Sequence, residues 1–493
     1  MPLFRDNRSM RHDALRHPLP SNIAIWSPSD DDGVFPLDGL RPAIRHINTS
    51  SKKKGDPLAR LRVTWMGRFY TKHFKRYAFI RWLASWLWRN LYPVYLNFIA
   101  GLSIYFRNRK AMRRRRLITL TEYAAAQHLQ KVKLADAGLV KTPAPAVYPA
   151  GDRDCLQSPH EEYIFPEVFV ASIKNGMVYG GTNLILLEDQ VICHDLYDFK
   201  RDYTSEEMHG RTVIDPAGRR IRWILHDETP EQIPMAAAFV DACAPNYAHW
   251  MTEVLPRIAL FCNEPRFNRI PIVVNDGLHE NIMESLFFVA GPEREIITLP
   301  IGRALAIDTL YLTSVAGYVP FERRTTKLSG HSHGRFSPRA FELLRERMAV
   351  LDPKTGNRDW PEKIVLHRNS GYRKVVNIDE IESELVGRGY AVVQPEKLTF
   401  LQQVHLFSHV KHIVGSSGSA LANMMFAPKD AKIIILLNKH PDTSYWYWQN
   451  MACTCGNRIH YVLGKSRDIG NNGIHADFEI RMDHLIASIE GES

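Results

Sequence analysis

The run Asn246-Tyr247-Ala248-His249-Trp250-Met251-Thr252-Glu253-Val254-Leu255-Pro256-Arg257 sets His249, Glu253 and Arg257 at i, i+4 and i+8. On a helix this spacing gives one polar stripe on an otherwise apolar rod, with Asn246 placed to cap its N-terminus. Histidine titrates near neutrality, and a carboxylate one turn away makes it a candidate general base. The same spacing also fits a histidine bonded inside a core beside a structural Glu253–Arg257 pair. Pro256 should kink the helix where it ought to be regular.

A second constellation suits an anion. Arg368 and Arg373 flank one loop, and Gly415-Ser416-Ser417-Gly418-Ser419 runs directly into a helical pattern with Asn423 one turn on. Small residues, backbone N–H groups and the positive end of a helix dipole favour phosphate, and paired arginines can offset a diphosphate. The turn lacks the lysine of a Walker loop and the spacing of a dinucleotide fingerprint. Glu396, just past a strand end, could hold a ribose or sugar hydroxyl or be an ordinary loop carboxylate. Asn377 and Glu380 read as a capping pair for the next helix, and Tyr445–Trp448 as packing of an ordinary helix rather than a stacking platform. Asp30–Asp32 read as a solvated turn, and His331 and His333 as linker residues, so no metal ligand is assigned.

These residues need a frame to hold them. Lys363–His367, Tyr390–Gln394, His412–Gly415 and Lys432–Leu437 read as strands, alternating with helices at Ile378–Gly387, Phe400–Val410 and Ser419–Phe426. That alternation predicts a parallel, doubly wound α/β sheet, which binds ligands at the carboxyl ends of its strands. A second α/β unit follows from strands at Met235–Val240, Ile270–Val274, Glu295–Thr298 and Thr309–Thr313 with helices at Tyr247–Cys262 and Glu280–Val289. Ahead of it, 160–230 alternates in strand fashion with turns at Asn175-Gly176 and Gly180-Gly181. The stretch Lys327–Ser337 reads as an interdomain hinge.

At 493 residues the chain is long for one core. Residues 1–120 carry 24 Lys/Arg against 7 Asp/Glu, while the remainder carries 39 against 46. The basic character therefore sits in the N-terminal quarter, which with the missing recognition motif argues against nucleic acid as a partner. Residues 1–60 read as a disordered polar tail. From Arg60 to Arg116 aromatic and basic residues interleave around the uncharged stretch Leu91–Phe106, at 16 residues short of a bilayer span and flanked by cations on both sides. An anionic membrane surface is the expected partner of 61–116, a self-packed helical hairpin the alternative. Six cysteines in no disulfide or zinc pattern, and a start without the apolar core of a signal peptide, suggest a cytoplasmic protein on the inner face of the cell membrane. The expected division is 1–60, 61–120, an acceptor-side domain over 121–330, a nucleotide-binding domain over 331–470, and a terminal helix in 471–493.

As an ordered set these motifs resemble glycosyltransferase family 61 over about residues 165–465. The family's Asn-Tyr-x-His-Trp then Leu-Pro-Arg matches Asn246–Arg257. Its later pattern matches Arg368, Arg373, Asn377, Glu380, Glu396, Thr399, Phe400 and Gln403, and its glycine-led pattern matches Gly415–Phe426, with Ser417 where the family usually has histidine. The resemblance implies a GT-B-like architecture, two doubly wound Rossmann-like domains facing a cleft, here with a basic-aromatic N-terminal extension. It also implies an inverting transfer from a nucleotide diphosphate sugar, UDP-linked by expectation, without an obligatory metal or other cofactor. On that pattern Arg368, Arg373 and Gly415–Ser419 hold the diphosphate, and Glu396 and Asn423 the nucleotide or sugar. Asn246, Tyr247, Trp250 and Arg257 lie on the acceptor side, with His249 and then Glu253 as base. The form resembles bacterial members acting on glycan or lipid-linked acceptors in capsule or other surface polysaccharide assembly. The alternatives are a non-catalytic, membrane-attached assembly protein, or another nucleotide-sugar-modifying or phosphoryl-transfer enzyme using the same anion site.

Overall fold

The computed structural model describes residues 24–28, 42–47 and 114–491, except 157–161, 200–201, 210, 216, 228, 323–333, 350–359, 370–372, 441–445 and 468–475. The aromatic-basic stretch up to position 113, the aspartates at 30–32 and the histidines at 331 and 333 lie outside the described residues. Among those described, no helix is long and apolar enough to cross a membrane.

The protein is α/β. Hydrophobic runs without alternation become strands buried on both faces, as parallel sheets require: Lys432–Asn438 is buried throughout. In the C-terminal half, Ala391–Val393, Lys363–Leu366, His412–Ser416, Lys432–Asn438 and Arg458–Ser466 lie side by side, all parallel. The first four follow the expected runs to within a residue or two. In the N-terminal half, Ile296–Leu299, Ile272–Asn275, Glu231–Ala238 and Ala304–Thr313 are likewise parallel neighbours, and Val168–Tyr179 extends the sheet antiparallel to the last.

Side-chain alternation along Lys363–Leu366 assigns the faces of the C-terminal sheet. Ile364 and Leu366 join an apolar cluster that also contains Phe239, Trp250 and Phe261 of the N-terminal half, whereas Val365 packs with Ile381 and Leu385 on the opposite face. Trp250, Phe261 and Phe400 are fully buried in the shared cluster, each worth ~1.5–3 kcal/mol relative to exposure.

Several expectations are corrected. The polar tail is not uniformly structureless: Ile44–His46 adds a parallel strand beside Ile296–Leu299, and Trp26 donates its backbone N–H to Val392 at 2.8 Å while its ring meets Trp360. Asn175-Gly176 is no turn, because Val168–Tyr179 runs straight through it with Asn175 in the left-handed region. Ala146–Tyr148, assigned to the first domain by position, is a parallel strand of the second sheet, beside Arg458–Ser466. Of the expected hinge, Arg335–Phe336 forms a short strand against Gly317–Tyr318 and leads into a helix over Pro338–Ala349. Ser419–Phe426 is helical as expected, but in the tighter 3₁₀ form.

Candidate active site

Asn246 starts the first site helix as expected, its Oδ1 accepting from the Ala248 amide at 3.0 Å. Regular winding lasts only through His249. Trp250–Val254 is a π-turn, closed by the Leu255 N–H on the Trp250 carbonyl, and an α-helix resumes over Leu255–Asn263. Pro256 explains the change without a break: it has no N–H for the Thr252 carbonyl, and the wider turn accommodates its ring. Widened turns of this kind recur at functional sites.

The π-turn fixes the carboxylate. Glu253 Oε2 meets His249 Nδ1, and Glu253 Oε1 accepts the Val319 amide at 2.8 Å. Gly317, two residues before Val319, lets that segment approach, since a Cβ there would lie 1.9 Å from the Thr252 carbonyl oxygen. Burial pulls the His249 pKa down, but the Glu253 charge and hydrogen bond together outweigh it and the net shift is upward. Burial pushes Glu253 up more than His249 pulls it down. Both shifts favour a pair that holds a proton, with Glu253 orienting the ring through Nδ1.

The expected Glu253–Arg257 pair is not made, because the π-turn carries Arg257 away from the stripe. Arg257 is 5% exposed, its guanidinium lies 5.6 Å over the Phe239 ring, and it makes no hydrogen bond among the described residues. Burial lowers its pKa against the opposing charges of Asp241 and Glu253. Trp250 faces inward, its indole N–H on Ser285 Oγ at 2.8 Å.

His249 and Glu253 border a cavity of ≈ 30 Å³, a volume suited to a water or hydroxyl rather than a sugar ring. Its other walls hold polar residues absent from the expected set. Asn183 Nδ2 donates to Asp241 Oδ2 at 2.8 Å, and the buried Glu206 carboxylate accepts from Thr182 Oγ1 at 3.1 Å, with burial pushing its pKa up. His194 is pushed down to about 3 by burial and then by the Arg257 charge, which keeps it neutral. These groups come from the β-rich stretch and a strand end, where no local spacing signals chemistry.

The anion turn lies at the carboxyl end of the second sheet. Gly415 and Ser416 belong to the strand, and the Ser417 N–H bonds the Leu436 carbonyl. The amides of Gly418, Ser419 and Ala420 donate to no described group, and no side chain caps the helix. The N–H groups on offer are therefore fewer and later than the motif suggested. Arg368 donates through Nη1 to the Ser417 carbonyl, and a Cβ on Gly418 would come within 3.1 Å of that nitrogen. Trp448, buried as expected of a packing aromatic, donates its indole N–H to Ser417 Oγ at 3.0 Å. Arg373 has positive φ (56°) in the same loop, and Glu396 is exposed on a short 3₁₀ turn.

Four of the expected site residues join the halves in two hydrogen bonds. Tyr247 donates to Asn423 Oδ1 at 2.7 Å, and Ser419 Oγ donates to Asn246 Oδ1 at 3.2 Å. Asn377 does not cap its helix by its side chain: its amide brackets Ile480, donating to the carbonyl at 2.8 Å and accepting from the N–H at 3.1 Å. No curated protein matches the chain. Residues 247–434 match the family model described as Glycosyltransferase 61, so the stretch from the His249 helix to the Lys432 strand resembles that family, and the protein is a glycosyltransferase.

Proposed function

We propose an inverting transfer of a sugar from a nucleotide diphosphate sugar, UDP-linked, to a hydroxyl of a glycan or lipid-linked acceptor in surface polysaccharide assembly. The acceptor oxygen bonds to the anomeric carbon as its proton passes to His249. The bond from that carbon to the diphosphate breaks, and the leaving nucleoside diphosphate keeps the electron pair. Arg368, Arg373 and the Gly418–Ala420 amides meet the developing charge, which preorganised donors do without a metal. In this reading the two α/β halves form a GT-B-like pair, and residues 60–116 attach the enzyme to the cytoplasmic face of an anionic membrane.

The observation that carries this reading is the joint between the halves. Tyr247–Asn423 and Ser419–Asn246 hold the first turn of the His249 helix against the first turn after the anion-side strand, so the base helix and the anion turn meet at one seam. The test is hydrolysis and transfer across UDP-, GDP- and CMP-sugars, with the product anomer read by NMR. Turnover of one nucleotide class with inverted configuration is expected. No turnover of any donor, or retained configuration, would sink the proposal.

A further inference from the structure

Strands Arg114–Thr119 and Arg220–Trp223 pair antiparallel with Arg116 opposite Arg220 and Arg114 opposite Arg222. Leu117 and Ile221 are fully buried on one face of this ladder, so by alternation the four arginines share the other. Arg114, Arg116 and Arg220 are exposed, and Arg222 is half-buried with its Nε unbonded. Like charges directly opposite, with Cα atoms ~4.5–5.5 Å apart, destabilise a sheet. Among the described residues none of the four makes an ion pair or a side-chain hydrogen bond. Asp215 stands in register with Arg220 but accepts the Gly218 amide at 3.3 Å, and the nearby Glu122 is taken by Arg219. Four cations held together at a cost to the fold point to an anionic partner outside it.

The chain that enters this ladder narrows the choice. Positions 57–113 hold 12 Lys/Arg and no Asp or Glu, so they cannot neutralise the arginines. They bring instead the Trp/Tyr/Phe-rich stretch suited to a bilayer interface, and they run directly into Arg114. We propose that the Arg114/Arg116/Arg220/Arg222 ladder is a lipid-phosphate docking face that sets how the enzyme sits on an anionic membrane. This rests on the attachment reading above and adds a surface whose second strand lies well beyond that segment in the chain.

The test is co-sedimentation of the full-length protein with phosphatidylcholine vesicles, with and without phosphatidylglycerol, at low salt and at roughly 0.15 M. Arg220→Ser/Arg222→Ser leaves positions 57–116 intact and should cut partition onto phosphatidylglycerol vesicles on the order of tenfold or more. Arg220→Lys/Arg222→Lys should restore most of it, which a merely structural role would not predict. Unchanged partition of the serine variant would overturn the ladder while leaving attachment through 60–116 standing. Wild-type protein that ignores phosphatidylglycerol would overturn both. Loss of binding in the lysine and serine variants alike would assign the arginines to folding, and would also overturn it. Donor nucleotide affinity, followed by calorimetry, should not move in either variant, so the transfer chemistry is judged separately.

Discussion

Tyr247 donates its phenolic hydrogen to Asn423 Oδ1 at 2.7 Å, and Asn423 passes the link on, Nδ2 to Gln403 Oε1, also at 2.7 Å. Gln403 in turn donates to the Leu398 carbonyl at 3.2 Å. Burial pushes the Tyr247 phenol well above its ordinary pKa, so it remains a donor across the working pH range. The chain of bonds crosses from the His249 helix to the helices packed on the second sheet, and it engages both ends of an amide that is fully buried.

Asn423 should therefore matter first to stability. Asn423→Ala strands two buried polar groups and should cost about 2–3 kcal/mol in urea unfolding, whereas Tyr247→Phe should cost about 1 kcal/mol. A double-mutant cycle should return a coupling of about 0.5–1.5 kcal/mol. Additive losses, or a variant of normal stability with weakened nucleotide binding, would return Asn423 to the role of a ligand contact.

His249 and Glu253 make a pH prediction. The base must be neutral, and the His249 pKa lies above the ordinary 6.5, so kcat/KM should climb with pH through a value higher than that. Glu253→Gln removes the charge that, together with the hydrogen bond, outweighs burial, so the acid limb should move to lower pH as kcat falls. His249→Ala should lower kcat by ~10²–10⁴-fold with donor affinity nearly intact. An acid limb that stays in place in the Glu253→Gln enzyme would separate this carboxylate from the base.

The parts of this arrangement that were legible in sequence are those written locally. Ile378–Gly387 is helical over the expected residues, because apolar spacing and bounding strands specify it. The His249–Glu253 contact follows from i, i+4 spacing. The π-turn does not, since Pro256 announces a local irregularity but not whether the helix kinks or widens. Asn183, Glu206 and Asp241 were invisible because they converge from separate segments with no shared spacing. Ala146–Tyr148 falls outside its expected half for the same reason: its partner strand begins at Arg458. The missing Glu253–Arg257 pair depends on a rotation that only the folded helix reveals.

The arginines predict how the donor is held. Arg373→Ala should weaken nucleotide diphosphate binding by about 1.5–3 kcal/mol without unfolding the protein. Arg368→Ala should do at least as much, because it also releases the Ser417 carbonyl and with it the turn. Calorimetry showing unchanged affinity in both variants would remove the donor-site assignment. Transfer should also persist in excess chelator, the charge being met by guanidinium and amide groups. Complete loss in EDTA with rescue by manganese would require a different site.

Gly317 gives the most stringent test of the π-turn. The segment from Gly317 to Val319 carries the amide that holds Glu253 Oε1 at 2.8 Å, and it reaches that position only by passing against the Thr252 carbonyl. A methyl group at 317 would lie 1.9 Å from that oxygen, a backbone atom that cannot swing aside as a side chain would. Overpacking of this kind costs about 1–3 kcal/mol where the structure can yield. Here yielding means moving Val319 off the carboxylate or reshaping the turn. Gly317→Ala should therefore lower the thermal midpoint and, in the surviving folded fraction, change the pH profile set by His249 and Glu253. Pro256→Ala returns an N–H for the Thr252 carbonyl and removes the cause of the wider turn, so it should shift the profile as well. A Gly317→Ala enzyme with the wild-type midpoint and wild-type profile would show that the approach of this segment does not position the base.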